Sequence, residues 1–219
     1  MISYRSKGFD DLTTDAQRYK EQVEGLTAHR VYVGALNPVG NKSVDFLQMI
    51  CSVQNFGCTI KPVNGRYLTI PTPNAHKQTA KQIGRYSQAN PQGLFFHLSK
   101  SSGRPTLARN LNGQLQVVFL LATEVNIPAR AFINKTMDDC SEKLAMIVQN
   151  DLYGYWDGTK HYTETLNHIG HLLKIHMQAN ITAWSNPANA AITAANKGKN
   201  NPLVDTGDLA KSISWVIEP

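Results

Sequence analysis

Apolar residues recur at three- and four-residue steps over residues 9–23, where Phe9, Leu12, Ala16, Tyr19 and Val23 share one face of a predicted helix. Val31-Tyr-Val-Gly-Ala-Leu36 then predicts a strand, because β-branched and aromatic residues suit a pleated surface. Asn37-Pro-Val-Gly-Asn41 is a turn. Ser43 is placed to cap a second helix with Val44, Leu47, Ile50 and Cys51 on its inner face, and Gly57 stops it. From Cys58 to Phe132 the period shortens to two residues. Strands are predicted at Tyr67-Leu-Thr-Ile70, Leu94-Phe-Phe-His-Leu98, 106–111 and 115–121. Asn64-Gly65, Ser102-Gly103 and Asn112-Gly113 mark turns, the first and last being favoured hairpin corners. Residues 72–92 are polar with prolines at both ends, which predicts an exposed excursion, partly helical at 75–86.

The helical period then returns. Asn134 or Thr136 can cap a helix whose stripe is Met137, Cys140, Leu144, Ile147 and Val148, with Asp138 and Asp139 near its positive end. Tyr153-Gly-Tyr-Trp-Asp-Gly158 interrupts the pattern. A second helix over 160–184 places Tyr162, Leu166, Ile169, Leu173, Met177 and Ile181 inward. Residues 185–201 are rich in Asn, Ala, Gly and Lys without periodicity and read as a flexible loop. A turn with one helical turn follows at 203–210, and an alternating strand at 212–218. The order gives an α+β fold: an antiparallel or mixed sheet packed by two long C-terminal helices and an N-terminal helix. Residues 1–58 and 124–219 make the expected core domain, and 59–123 a β-rich insertion of hairpins.

Composition narrows the class. The chain has 219 residues, 42% apolar and 17% charged, which suits a packed core rather than global disorder. No apolar run approaches the ~18 residues of a membrane span. Met1-Ile-Ser-Tyr-Arg-Ser-Lys-Gly has no apolar block behind its charges, so no signal peptide is expected. Cys51, Cys58 and Cys140 follow no CxxC spacing and sit among apolar neighbours, so buried reduced thiols and cytosolic synthesis are expected. The formal charge of +6 tolerates a polyanion. Those charges are scattered, however, and favour a soluble basic surface over a dedicated nucleic-acid site.

Candidate chemistry is sparse. Leu203-Val-Asp-Thr-Gly207 is the sharpest enzymatic motif, since aspartic proteases bring two Asp-Thr-Gly carboxylates together to share a proton. Only a dozen residues follow Gly207 and no second triplet exists, so the sheet such a site needs has no room. His161, His168, His171 and His176 share the 160–184 helix, and His168 and His171 are close enough for a metal. No HExxH pattern accompanies them, and a solvent-facing edge is the simpler reading. Asp10/Asp11 and Asp138/Asp139 read as helix-start charges rather than acid–base pairs. Neither a phosphate-cradling glycine loop nor a Gly-x-Ser-x-Gly elbow is present. The expectation is no enzyme, no cofactor, no metal and no small-molecule substrate.

Three segments, in order, resemble the virion-morphogenesis (neck, tail-completion or minor capsid) proteins of tailed bacteriophages. Val53-Gln-Asn-Phe-Gly57 falls where that family has a helix ending in a Glu-Phe-Gly-like corner, with Gln54-Asn55 in place of the glutamate. Val125-Asn-Ile-Pro-Ala-Arg-Ala-Phe132 is similar to the family's Ile-Pro-Ala-Arg-Pro-Phe, with Ala131 where proline is common. Trp184-Ser-Asn-Pro, Thr193, Lys197-Gly198 and Pro202-Leu-Val-Asp-Thr-Gly-Asp-Leu-Ala-Lys-Ser-Ile213 resemble a proline-bearing loop, Lys-Gly, then Pro-Leu-x-Asp-Thr-Gly-x-Leu-x-x-Ser-Ile. The third segment is specific, because several residue types match at fixed spacing.

The resemblance implies a structural virion protein, assembled in the host cytoplasm. It would form a homo-oligomeric ring at the neck or collar, joining the head on its portal side to the tail and letting DNA pass. Its partners would be itself, portal or adaptor proteins, and tail-tube or tail-terminator proteins, with only non-specific DNA contact and no membrane. A tail terminator or head-closure ring of the same joint is the nearest alternative; a stand-alone non-specific DNA-binding protein is more distant. The motif residues Pro128, Arg130, Phe132, Pro202, Leu203, Asp205, Thr206, Gly207, Leu209 and Ser212 are expected in structural or interface roles. In particular, Gly207 suits a positive-φ turn, Leu209 a core anchor, and Arg130 a fork for a carboxylate within or between subunits.

Overall fold

In the computed structural model, residues 7–100 and 102–219 are described, with side chains from Asp11 onward. The first six residues of the N-terminal reading and the inward placement of the Phe9 side chain lie outside what is described. The elements are α1 (Lys7–Ala28), β1 (Arg30–Ala35), α2 (Val44–Phe56), β2 (Cys58–Ile60) and β3 (Leu68–Pro71). A 3₁₀ turn (Pro73–Ala75), α3 (Ala80–Ile83), β4 (Phe95–Leu98), β5 (Pro105–Leu111), β6 (Gln114–Ala122) and β7 (Val125–Ile127) follow. The chain continues through α4 (Phe132–Asp157), α5 (Tyr162–Ala183), α6 (Ala191–Lys197), α7 (Asp208–Ser212) and β8 (Ile213–Glu218). The fold class is α+β.

The chain forms two compact units. The first comprises Met1–Asn55, Ala131–Trp184 and Thr206–Pro219. Here α4 and α5 are antiparallel: Tyr155 bonds Thr165 near their junction, and Asn180 bonds Thr136 and Asp139 at the far end. β1 and β8 pair antiparallel from Arg30↔Glu218 to Ala35↔Ile213, and α5 packs on this two-stranded sheet. Leu166, Leu173, Met177 and Ile181 form the buried stripe of α5, as its period predicts. Gly170 is what lets the layers meet. A Cβ there would overlap the Trp215 indole, so the helix backbone lies directly on the β8 side chain.

Several boundaries differ from expectation. α4 begins at Phe132, before either predicted cap, and its N-cap Ala131 makes no side-chain bond. The cap comes instead from α2, where the buried Asn55 accepts a hydrogen bond from the Ile133 N–H at 3.0 Å. Asp138 and Asp139 therefore sit beyond the first turn, where Asp139 meets Lys135 and Asn180. The 153–158 segment does not interrupt the helix, which runs to Asp157 and ends at the left-handed Gly158. Met137, assigned to the inner stripe, is exposed, while Phe132, Thr136, Cys140 and Ile147 are buried. On α1, Leu12 and Ala16 are exposed, so the face expected inward is covered only from Tyr19 onward.

The second unit comprises Phe56–Arg130 and Ser185–Asp205. Its main sheet is antiparallel in the order β3-β6-β5-β4. Asn112 and Gly113, both at positive φ, turn β5 into β6 as the hairpin motif requires. Asn64-Gly65 makes no hairpin: β2 pairs with β7, from Cys58↔Ile127 to Ile60↔Val125, while β3 pairs with β6. Ala75, Leu94, Val118 and Phe119 form its core, packed by Ala80, Ile83 and Leu107. The 72–92 excursion is thus anchored at its start, where the Thr72 hydroxyl and Asn74 amide donate to β6 carbonyls.

Residues 124–130 and 185–205 group with the strand-rich unit, not with the helical core in which they were expected. Residues 185–201 also carry regular structure, the two-turn α6. Asparagine side chains explain it: Asn200 accepts from the Asn189 N–H, Asn189 donates to the Asn201 carbonyl, and Asn196 donates to the Pro71 carbonyl at 2.7 Å. Amide groups complete the backbone bonding of a segment whose helix buries no side chain. Among the described residues, no helix is long and apolar enough to cross a membrane.

Candidate functional site

The C-terminal motif folds as a corner between α7 and β8. Gly207 adopts φ +83°, and an added Cβ would meet only the Lys211 side chain, at 3.9 Å. Backbone conformation rather than crowding therefore demands glycine there. Leu209 is buried, and the buried Ser212 hydroxyl donates to the Leu209 carbonyl at 2.7 Å, closing the last turn of α7. The Ser212 carbonyl accepts two N–H groups, from Leu36 at 3.0 Å and Asn37 at 3.1 Å, so both lone pairs are engaged where β1 ends. From α5, Gln178 donates to the Ala210 carbonyl at 2.9 Å.

The acidic member of this corner is Asp208, not Asp205. Lys42 reaches the Asp208 carboxylate at 2.6 Å and the Thr206 hydroxyl at 3.4 Å. Hydrogen bonds from Lys42 and then Thr206 hold the Asp208 carboxyl below the usual carboxylate range. Asp205 is exposed, and its backbone carbonyl accepts from Lys199 Nζ at 2.8 Å. The arrangement ties chain segments together around a charge pair.

The other motif residues divide between the units. Thr206, Gly207, Leu209 and Ser212 come together in the corner, and buried Phe132 opens α4 in the same unit. Pro128, Arg130, Pro202, Leu203 and Asp205 belong to the strand-rich unit. Arg130 is only 4% exposed, and its Nε donates to the Pro187 carbonyl at 3.2 Å, joining the chain after β7 to the segment before α6. A backbone carbonyl occupies this donor of the expected fork. Burial lowers the Arg130 pKa, and burial followed by the neighbouring Arg130 and Lys199 charges lowers that of Lys197, against an opposing pull from Asp205. Pro202 and Leu203 are buried, Pro128 is exposed, and the Asn201 side chain accepts from the Val204 N–H.

The histidines do not converge. The His161 ring nitrogen caps α5 by accepting from the Thr163 N–H; His171 lies edge-on to Trp215; Lys143 donates to His176 at 3.1 Å. Among the described residues, no group of three or more His, Cys, Asp or Glu side chains is placed to hold a metal ion. Cys51 and Cys140 are buried, and burial raises both thiol pKa values. Cys58, expected to be buried, is exposed on β2, all three residues of which face solvent.

Three structural devices escaped the sequence reading. Asn55 caps α4, Gly170 seats Trp215, and a polar chain joins the helix pair: the buried Tyr155 hydroxyl donates to Thr165, which donates to Asp151 at 2.7 Å. Asn55 left a signal, since it stands four residues after Cys51 and eight after Leu47, a polar residue on an apolar stripe. Neither a family model, nor a curated protein, nor a solved structure matches the chain.

Proposed function

We propose that this chain is a non-enzymatic structural subunit of a tailed-phage neck, forming a ring between the portal side of the head and the tail. The observation that carries this reading is the ordered resemblance of 125–132 and 184–213 to virion-morphogenesis proteins. The geometry of the motif supports it, because its residues act as fold-closing parts. Gly207 sets a turn, Leu209 and Ser212 are buried within it, and Asp208 is neutralised by Lys42. Exposed strand edges and apolar faces then supply adhesion between subunits. DNA passing through such a ring touches it non-specifically, and any binding weakens steeply with salt.

Electron microscopy of particles made without this chain tests the reading. Full heads unattached to finished tails are expected; normal intact virions would overturn it. The neighbouring layers, a tail terminator or head-closure ring, separate in the same images by whether isolated tails are complete. A mobility-shift measurement addresses the DNA-binding reading, with no retention of the isolated chain expected at physiological salt.

A further inference from the structure

Among the described residues, two apolar surfaces of the helical unit are left uncovered. The first is a ridge on α2. Its inward residues Leu47, Cys51 and Asn55 are spaced by four, while Phe46, Met49 and Val53 lie on the opposite face at steps of three and four. Phe46 is 44% and Met49 48% exposed. Asp45 is the one charged residue in the helix. The second surface is a hollow of about 700 Å³ lined by Tyr19 of α1 and Gln149, Leu152, Tyr153 and Trp156 of α4. Tyr153 is 84% exposed, and Leu12 and Ala16 extend the same open face along α1.

We propose that ridge and hollow are two halves of one contact, in which α2 of one copy seats in the α1/α4 hollow of a second copy. The chemistries match: an almost uncharged line of Phe, Met and Val faces a hollow walled by tyrosine and tryptophan, where thioether–aromatic contacts are favourable. Among the described residues no charged side chain lines the hollow, and the charges flanking Tyr19 on α1 have partners within the helix, Arg18 with Asp15 and Lys20 with Glu24, so an apolar guest strands none of these. A chain's own ridge cannot fill its own hollow. Asn55, at the inner face of α2, is bonded to Ile133 at the start of α4, whereas the hollow begins at Gln149, roughly 24 Å further along that helix. Ridge and hollow therefore lie toward opposite ends of α4. The contact is head-to-tail, uses two different patches, and propagates until a ring closes. It rests on the neck reading only for that closure.

The test uses the full-length chain and two variants at exposed positions, Met49→Lys on the ridge and Tyr153→Asp in the hollow. Light scattering across a concentration series should show the wild type growing beyond a dimer. Each variant alone should be monomeric, its self-association weakened at least ~30-fold, as for a lost interface anchor. An equimolar mixture of the two should give dimers and nothing larger, because one intact ridge meets one intact hollow. Circular dichroism checks folding, and Phe46→Lys with Gln149→Lys forms a second pair should either variant misfold. A wild type monomeric up to its solubility limit, a variant that still assembles, or a mixture that stays monomeric overturns the contact. Intact virions without the protein would instead defeat the neck reading and leave this contact standing.

Discussion

Asp208 is the residue whose chemistry is most exposed to test. Its folded pKa lies below the unfolded value because Lys42 and Thr206 bond the ionised form. The stabilisation it supplies is therefore present above the unfolded aspartate pKa, about 3.9, and is lost as pH falls through the lower folded value. Asp139 and Asp157 are shifted the same way, so all three contribute to acid unfolding. Replacing Asp208 with Asn should shallow the fall in denaturant midpoint below about pH 4, without removing it. An unchanged slope would count against this account. Gly207→Ala should cost about 1–2 kcal/mol in chemical denaturation, from backbone conformation alone, since its Cβ has room. Asn55→Ala should cost about 1–2 kcal/mol by removing the one side-chain cap described on the Ile133 N–H.

Between elements, α5 fits closely on β8. Gly170→Ala pushes a methyl into the Trp215 ring, and overpacking of this kind typically costs about 1–3 kcal/mol. A shift in tryptophan emission should accompany it; an unshifted spectrum would mean the two layers do not meet as described. The elements themselves were largely legible. α5 and the β5–β6 hairpin announce themselves by apolar period and by Asn112-Gly113, which are local signals. What escaped depends on residues distant in sequence. The start of α4 was unreadable because its cap sits on α2, and the partners of β2 and β3 because turn chemistry names a corner without naming who pairs across it. At the motif, glycine's role at 207 was readable from its neighbours. The partner of Asp208 was not, because nothing local links it to Lys42.

At the scale of the whole chain, two units imply two reporters. Trp156, Trp184 and Trp215 all belong to the helical unit, while far-ultraviolet dichroism samples both. Val118→Ala empties part of the fully buried core of the strand-rich unit and should destabilise that unit by about 2 kcal/mol. Thermal melting should show the change in dichroism with the tryptophan transition unmoved. Coincident shifts in both signals would mean that the units unfold as one.

The pairing of β1 with β8 also sets a timetable. Arg30 and its neighbours leave the ribosome well before their partners from Ile213 to Glu218, which are separated from them by most of the helical and strand-rich segments. At roughly 5–20 residues per second, the first strand waits on the order of ten seconds or more for its mate. Throughout that interval the face of α5 that will receive Trp215 is bare, and the Leu36 and Asn37 N–H groups lack the Ser212 carbonyl. A prematurely terminated chain thus lacks the piece that completes its helical unit. In the ring proposed above, a subunit contact that needs the finished helical unit would therefore exclude chains that stop short of β8, so that the late pairing acts as a proofreading step against fragments.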